Sequence, residues 1–434
     1  MSSEHAQDIA VVGAGAAGLM SAISAGRAAR DRGARLRICA IDGARSLGAK
    51  ILVAGGGRCN VTHDVVDPRL YAGSSTGAIR KVLGRFSVAD TTRFFAGLGV
   101  TLKREETGKL FPTTDKARTV LDALLRAARE AGVELVYPWR VWSVEQEGDG
   151  FVIRRAGAEF GEKGDEVIRA RRVILCTGGK SLPRSGSDGH GHGIAKSLGH
   201  SVTARVFPAL APLVINHARS DWLKALSGLT TDATLEVRSS TGKRIKAVSG
   251  SLLCTHFGLS GPCAMDISRY YTDARMDDAG AVLVANWVGG ATMDDVDREL
   301  QTIGAATVGR YFSQRARSAM PARLIEAVCA QVGVEAGAPG HSLTREQRKA
   351  LARALTEMVI EIHSDRGWNY AEVTAGGVPL DEIDLETMES KITRGLYFAG
   401  EICDVDGPIG GYNFQWAWAS GFVAGTSAAA TLQG

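Results

Sequence analysis

Two rhythms of apolar residues run along this chain, short continuous runs that read as buried strands and longer small-residue stretches at helical spacing. Asp8–Val12 is a short apolar run, and "GAGAAG" (Gly13 to Gly18) follows it directly. "LMSAISAGRAAR" then carries small apolar residues suited to a closely packed helix, and "RLRICAID" is a second β-type run ending at Asp42. The predicted order is strand, glycine turn, helix, strand, acid. Further on, "RRVILCTGGKSLP" predicts a buried strand over Val173–Cys176 that stops at Thr177-Gly178-Gly179. A short strand over Leu396–Ala399 precedes Gly400-Glu401 and Asp404, the turn "DGPIGG", and a long helix from about Tyr412.

Between these pieces, Val88–Leu98 and Lys116–Glu130 read as helices, the second starting after Asp115, a good N-cap. Alternating runs "VELVY", "RVWSVEQ" and "FVIRR" predict a β-meander between Val133 and Arg155. An insert is expected over 193–366, with a β part about 200–260 and a helical part about 261–366. Two strands in it, "TLEVRSS" and "RIKAVSGSLLC", are joined by a Thr-Gly turn. Helices are expected near Pro262–Tyr271, Asp294–Thr302, Ala322–Val332 and Thr344–Ile362. The predicted division is 1–192, 193–366 and 367–434, the outer two forming one domain.

The glycine turn is where chemistry enters. Gly13 suits a tight turn, Gly15 lets backbone approach a pyrophosphate, and Gly18 lets helix pack on sheet, with phosphate charge at the helix N-terminus. Asp42 lies at roughly the 20-residue separation expected of an acid that binds ribose hydroxyls. A carboxylate there repels a 2′-phosphate, so FAD or NAD is favoured over NADP at this site. The far end of the chain favours FAD. Asp404 could hydrogen-bond a ribitol chain, and a helix N-terminus behind Gly410 and Gly411 would stabilise negative charge on a reduced flavin. Gly178 and Gly179 let the chain leave the sheet beside a cofactor. The fold class is α/β, with a Rossmann-like FAD-binding domain.

Composition narrows the partners. Net charge is only +4, with 51 Lys+Arg scattered among 47 Asp+Glu, so no concentrated positive stripe marks a nucleic-acid surface. No apolar run reaches the roughly 20 residues of a membrane span. The polar opening "MSSEHAQD" carries no secretory pattern, and 7 cysteines without a CxxC pair fit free thiols in a reducing cytoplasm. His190 and His192 in "SGSDGHGHG" read as loop residues, and no metal site is expected.

Taken in order, these motifs resemble the YhiN/BaiN-type FAD-dependent oxidoreductases, bacterial flavoproteins labelled aminoacetone-oxidase-like or bile-acid-reductase-like. The resemblance runs from Val11 to Ala424. It rests on "VVGAGAAGLMSA", "GAKILVAGGGRCNVT", "KLFPTTDKARTVLDAL", "CTGGKSLPRSGSDGHGHGIAKSLGH", "LLCTHFGLSGPCAMDIS", "AEVTAGGV", "TMESK" and "GLYFAGEICDVDGPIGGYNFQWAWASG". Cys176 and Ala54 depart from the alanine and serine usual in relatives. The resemblance implies one non-covalent FAD and a fold class of α/β with a two-part Rossmann-like FAD-binding domain and a long inserted β plus helical region. In the N-terminal half it would touch Gly13, Gly15, Ala16, Ala17, Gly18, Asp42, Gly43 and Lys50. In the glycine loop the implied contacts are Gly57, Arg58, Cys59 and Asn60. Backbone at Val141 would meet the adenine, and Thr177, Gly178 and Gly179 would follow. The C-terminal contacts would be Gly400, Glu401, Asp404, Gly410, Gly411, Tyr412 and Asn413.

A flavin performs redox chemistry itself, so no nucleophile–His–acid set is required. His256 in "CTHFGLSGP" could donate a proton or be structural. Tyr412 could donate to a substrate or pack under the ring, and Thr374 could hydrogen-bond near it or be an ordinary β residue. Trp416 and Trp418 read as core. "ILVAGGGRCNVT" (Ile51 to Thr62) reads as a cofactor cradle, with Cys59 a compact filler rather than a catalytic thiol. The expected activity is reduction of a conjugated C=C bond in a small organic molecule, fed by transient NAD(P)H. An O₂-using amine oxidase and a flavin-bearing RNA-modification or assembly partner are the alternatives. No membrane or nucleic-acid partner is expected, and oligomeric state stays open.

Overall fold

The structure, a computed structural model, describes residues 6–157, 162–316 and 318–432, so the first five residues of the polar opening lie outside it. The chain divides into two compact units, Met1–Phe207 with Val373–Gly434, and Pro208–Glu372. Both junctions fall downstream of the boundaries at 192/193 and 366/367. Ile194, Ala195 and Leu198 belong to the first unit's core, which holds helix His190–Ser197 there. At the far junction Asp365 pairs with Leu213, and the Glu372 N–H donates to Leu210 O, both within the second unit.

The first unit is built on strands β1 (Ala6–Val12), β2 (Ile38–Ile41), β3 (Val133–Val136), β4 (Val141–Glu147), β5 (Gly150–Ala156), β6 (Lys163–Leu175) and β7 (Leu396–Phe398). Their order is β3-β2-β1-β6-β5-β4, with β7 also paired to β6. β3, β2, β1, β6 and β7 run parallel, while β5 is antiparallel to β6 and β4 antiparallel to β5. "VELVY" therefore belongs to the parallel sheet and not to the meander. Helix Ala117–Glu130 lies between β2 and β3 in the chain, the crossover that parallel strands require. Asp115 does not cap that helix. It sits at φ 52 with its carboxylate bonded to Lys103, and Lys116 is the N-cap, without a side-chain bond.

Register places the chemistry. Val12 pairs with both Ile41 and Leu175, and Leu175 pairs with Phe398. The carboxyl ends of β1, β6 and β7 therefore reach one edge of the sheet, bringing together the turns at Gly13, Thr177 and Gly400. Open α/β sheets bind ligands at that edge. Helix α1 (Ala16–Asp31) leaves it after β1, and helix α2 (Tyr412–Ala430) packs alongside α1. The two helices meet backbone to backbone. A Cβ at Gly421 would lie 2.6 Å from the Ala17 carbonyl oxygen, and one at Gly425 would lie 2.0 Å from that of Ser21.

The second unit is a seven-stranded antiparallel sheet covered by helices. The expected hairpin is present as Thr230–Arg238 and Arg244–Cys254. Five further strands, at Leu213–Ile215, Gly258–Ser260, Val282–Asn286, Met358–Ile360 and Ile362–Asp365, are too short to show a period. Helices occupy Gly261–Asp277, Met293–Thr302, Val308–Ser313, Ala322–Gln331 and Arg345–Thr356. The helix expected to continue through Ile362 stops at Thr356. Met358–Ile360 instead pairs with Val282–Asn286, a place suited to β-branched Val359 and Ile360. No helix among the described residues is long and apolar enough to cross a membrane.

Gly425→Ala should lower unfolding stability by about 1–3 kcal/mol, because a methyl group must displace the Ser21 carbonyl. Urea unfolding measures this, and a wild-type midpoint would contradict the packing described.

Candidate active site

The three glycines after β1 stand in different surroundings. Gly13 has φ 98, and a Cβ there would sit 2.4 Å from the Cys176 carbonyl oxygen. A Cβ at Gly18 would lie 1.8 Å from the Gly13 carbonyl oxygen. Gly15 has φ −82, and nothing lies within 4 Å of an added Cβ. Neither conformation nor packing inside the chain requires glycine at 15, and its Cβ side is open to a group approaching from outside. α1 begins there at Ala16 and Ala17 with no side-chain cap, which leaves first-turn N–H groups for an anion. Asp42 is fixed beside them: Oδ2 accepts from Ala14 N at 2.9 Å and Oδ1 from Ala44 N at 2.8 Å. Each oxygen keeps a lone pair for a hydroxyl donor. A Cβ at Gly43 would press on Arg140.

Lys50 and Glu401, both expected to touch a cofactor, are bonded to each other at 2.6 Å. The Lys50 ammonium also donates to Ser181 Oγ (2.9 Å) and Ser187 Oγ (3.0 Å). Glu401 Oε1 accepts from Ser181 Oγ at 2.7 Å and from Thr374 N at 3.0 Å. Thr374 Oγ1 in turn accepts from Lys180 N and Ser181 N. A Cβ at Gly178 would meet Ser187, and one at Gly179 would meet Thr374. The network thus ties the segments at 50, 178–187, 374 and 401 into one cluster. Burial pushes the Glu401 carboxyl up, but Lys50 and the hydrogen bonds outweigh it and hold it below the ordinary value. Ser181 and Ser187 were not singled out in the sequence, although "GGKSLPRSGS" carries both.

The stretch Ile51 to Thr62 is a short helix running into a left-handed glycine turn. Ala49 starts the helix, and Gly55, Gly56 and Gly57 have φ 58, 68 and 84. Cys59 is fully buried at φ 62, and burial pushes its thiol up to about 12. A thiol held that far above neutral pH is not a nucleophile, so packing is its role. Arg58 is engaged by the protein: it bonds Glu105 at 2.6 Å and lies 4.0 Å over the Phe111 ring. Asn60 is buried, and its Oδ1 has no hydrogen-bond partner. Buried acceptors without donors are rare.

At the C-terminal side, Gly400 (φ 78) is clasped by Trp416 Nε1 donating to its carbonyl and by Ser420 Oγ accepting from its N–H. Trp416 and Trp418 are core, as expected. Gly410 (φ 118) and Gly411 (φ 95) lead into α2, which has no side-chain cap. Asn413 closes the loop by bonding Gly407 N and O, each at 2.8 Å. Tyr412 is buried, its hydroxyl donating to Val65 O. The Asp404 carbonyl accepts from Ser74 N. Thr177 abuts Gly191, where a Cβ would lie 1.8 Å from Thr177 Oγ1. His192 follows, buried, with Nε2 unpartnered and its pKa lowered by burial. Val141 is buried on β4. His256 lies on an exposed turn of the second unit. No metal-ligating cluster occurs among the described residues.

Lys50→Met leaves Glu401 without its counter-charge and should cost about 3 kcal/mol, read as a lower unfolding midpoint. Because the Glu401 pKa is lowered on folding, its contribution is full above the ordinary carboxylate value and lost as pH falls through the lowered one. Glu401→Gln should therefore lose less stability on acidification than wild type, and parallel pH profiles would contradict the pairing. Cys59→Ser should keep turnover within about tenfold, whereas a complete loss would restore the thiol to the chemistry.

With this geometry in place, relatives can be compared. The HI0933-like protein Rossmann domain matches residues 7–427. The chain is 32% identical over 97% of its length to a 3-dehydro-bile acid delta(4,6)-reductase of Clostridium scindens, covering 98% of that protein. It is 31% identical over 95% of its length to a ribosomal RNA dihydrouridine synthase of Escherichia coli, covering 96% of it. The Haemophilus influenzae protein of the same name is 28% identical over 98% of this chain and 99% of its own. The chain belongs to the HI0933-like protein family and is a flavoprotein oxidoreductase on a Rossmann nucleotide-binding fold.

Proposed function

We propose that the first unit binds FAD and that the enzyme reduces a carbon–carbon double bond conjugated with a carbonyl group, fed by transient NADH or NADPH. The observation that carries the cofactor reading is Gly15, where the backbone is open to an outside group, at the uncapped start of α1 and beside Asp42. A second uncapped helix start, behind Gly410 and Gly411, favours FAD over NAD. The positive end of its helix dipole suits the anionic edge of a reduced flavin, for which a nicotinamide has no use. The buried, unpartnered Asn60 Oδ1 fits a donor brought by the cofactor.

FAD supplies the hydride chemistry when bound. The chain's own residues position it. α1 N–H groups would hold the pyrophosphate, Asp42 the ribose hydroxyls, and the Lys50–Glu401 network the segments at 178–187 and 374. Arg58 keeps the glycine turn in place through Glu105 and Phe111. His256 and Tyr412 stay as candidates for proton delivery. His256 has the exposure for it, whereas Tyr412 spends its hydroxyl on Val65 O.

The reaction class follows from the relatives' names, because a dienone reductase and a dihydrouridine synthase both saturate a C=C bond next to a carbonyl. The near-neutral charge favours a small-molecule substrate. Uridine in ribosomal RNA is the second reading, favoured by the names of two relatives.

Anaerobic mixing with NADH or NADPH should bleach the flavin absorbance. Adding a conjugated dienone should restore it, and a uridine-containing ribosomal RNA fragment doing so instead would select the second reading. No bleaching by either nicotinamide would sink the proposal, and peroxide formed from aminoacetone would replace it with the oxidase. Gly15→Val should weaken FAD binding at least about tenfold, roughly 1.4 kcal/mol, with wild-type affinity contradicting the cradle.

A further inference from the structure

The second unit carries a cation that is held in place but not neutralised. Its arginines are mostly paired with carboxylates: Arg238 with Glu236 and Glu357, Arg315 with Glu299, Arg348 with Asp297 and Arg219 with Glu361. Arg366 is different. Its guanidinium carbon lies 4.2 Å from the centre of the Phe257 ring and 3.6 Å from that of Tyr370. Among the described residues its guanidinium makes no hydrogen bond and no ion pair.

The backbone beneath it is pinned. Arg366 N donates to Pro212 O at 3.0 Å, and Tyr370 N to Gly367 O at 3.0 Å. Gly367, at φ 73, donates to Asp365 Oδ1 at 2.6 Å. Phe257 stands on a turn closed by Thr255 N donating to Gly258 O at 2.7 Å, and exposed His256 lies on that same turn. Tyr370 is 49% exposed. The cluster therefore offers an ordered guanidinium held by a phenyl ring and a phenol at the protein surface.

Two rings stabilise a cation without cancelling its charge or using up its N–H donors. The flexible stem has also lost its freedom in advance, which removes part of the ordering cost of binding. A planar fork with free donors matches the paired oxygens of a carboxylate or a phosphate. We propose that Arg366, held by Phe257 and Tyr370, is a recognition site for an oxyanion, either a carboxylate or a phosphodiester. The site stands apart from the cofactor reading, and its test needs no redox chemistry.

The test is nitrogen-15 NMR of the arginine Nε–Hε groups in the full-length, flavin-loaded protein, with the Arg366 signal assigned by its loss in Arg366→Lys. Acetate and dimethyl phosphate are titrated separately against chloride at equal ionic strength. A saturable shift of the Arg366 signal is expected, with a dissociation constant on the order of 10 mM. Tighter binding of acetate assigns a carboxylate ligand, and tighter binding of dimethyl phosphate assigns a phosphodiester. Phe257→Leu with Tyr370→Leu, checked for a wild-type fold by circular dichroism, should weaken binding at least about threefold. A non-saturating shift, one shared with the other exposed arginines, or binding unchanged without the rings would overturn the proposal.

Discussion

Close contact between backbones is the constraint on which the first unit depends. Gly18 sits against the Gly13 carbonyl, and Gly13 against that of Cys176. Gly421 and Gly425 bring α2 onto the carbonyls of α1. A single methyl group at any of these contacts would push α1 away from the sheet or from α2. Because α1 cannot move, its N-terminus stays at the strand edge beside Asp42. The same contacts let a segment from the far end of the chain complete a site begun by the first strand. Gly400 shows this directly, with a Cβ there only 2.6 Å from that of Ala17.

Charge supplies the second layer of order. Lys50 and Glu401 are far apart in sequence and come together with only partial exposure, 26% and 18% of their side chains. A buried ion pair is weak evidence for stability, because desolvation offsets much of the attraction. Its value here lies in geometry. Three Lys50 donors reach Ser181, Ser187 and Glu401, so the strand-exit segment, the glycine turn and the C-terminal segment keep a common arrangement. The orphaned Asn60 and His192 atoms lie on the elements this arrangement holds, the glycine turn and the helix after the strand exit.

Local grammar made the cradle legible. Strand, glycine turn, helix and acid are contiguous, and each glycine role follows from sterics that need no distant partner. The C-terminal helix and its tryptophan core were readable for the same reason. The Lys50–Glu401 bond was not, because nothing in either segment names its partner across the chain. Asp115 looked like a helix cap, and a long-range bond to Lys103 claimed its carboxylate instead. Val359 and Ile360 looked like the end of a long amphipathic helix until pairing with Val282–Asn286 drew them into a sheet. Strands of three to five residues left no period to read. Arg58 is half-buried beside Glu105 and Phe111, two partners that nothing in its own segment names.

The central claim is that one FAD occupies the first unit through the Gly15 cradle. The most direct measurement is the visible spectrum of the purified protein, with chromatographic identification of the flavin released on denaturation. The account predicts a two-banded flavin spectrum and one FAD per chain, recovered on adding FAD to stripped protein. A colourless protein that takes up no FAD, or one that releases FMN alone, would contradict it.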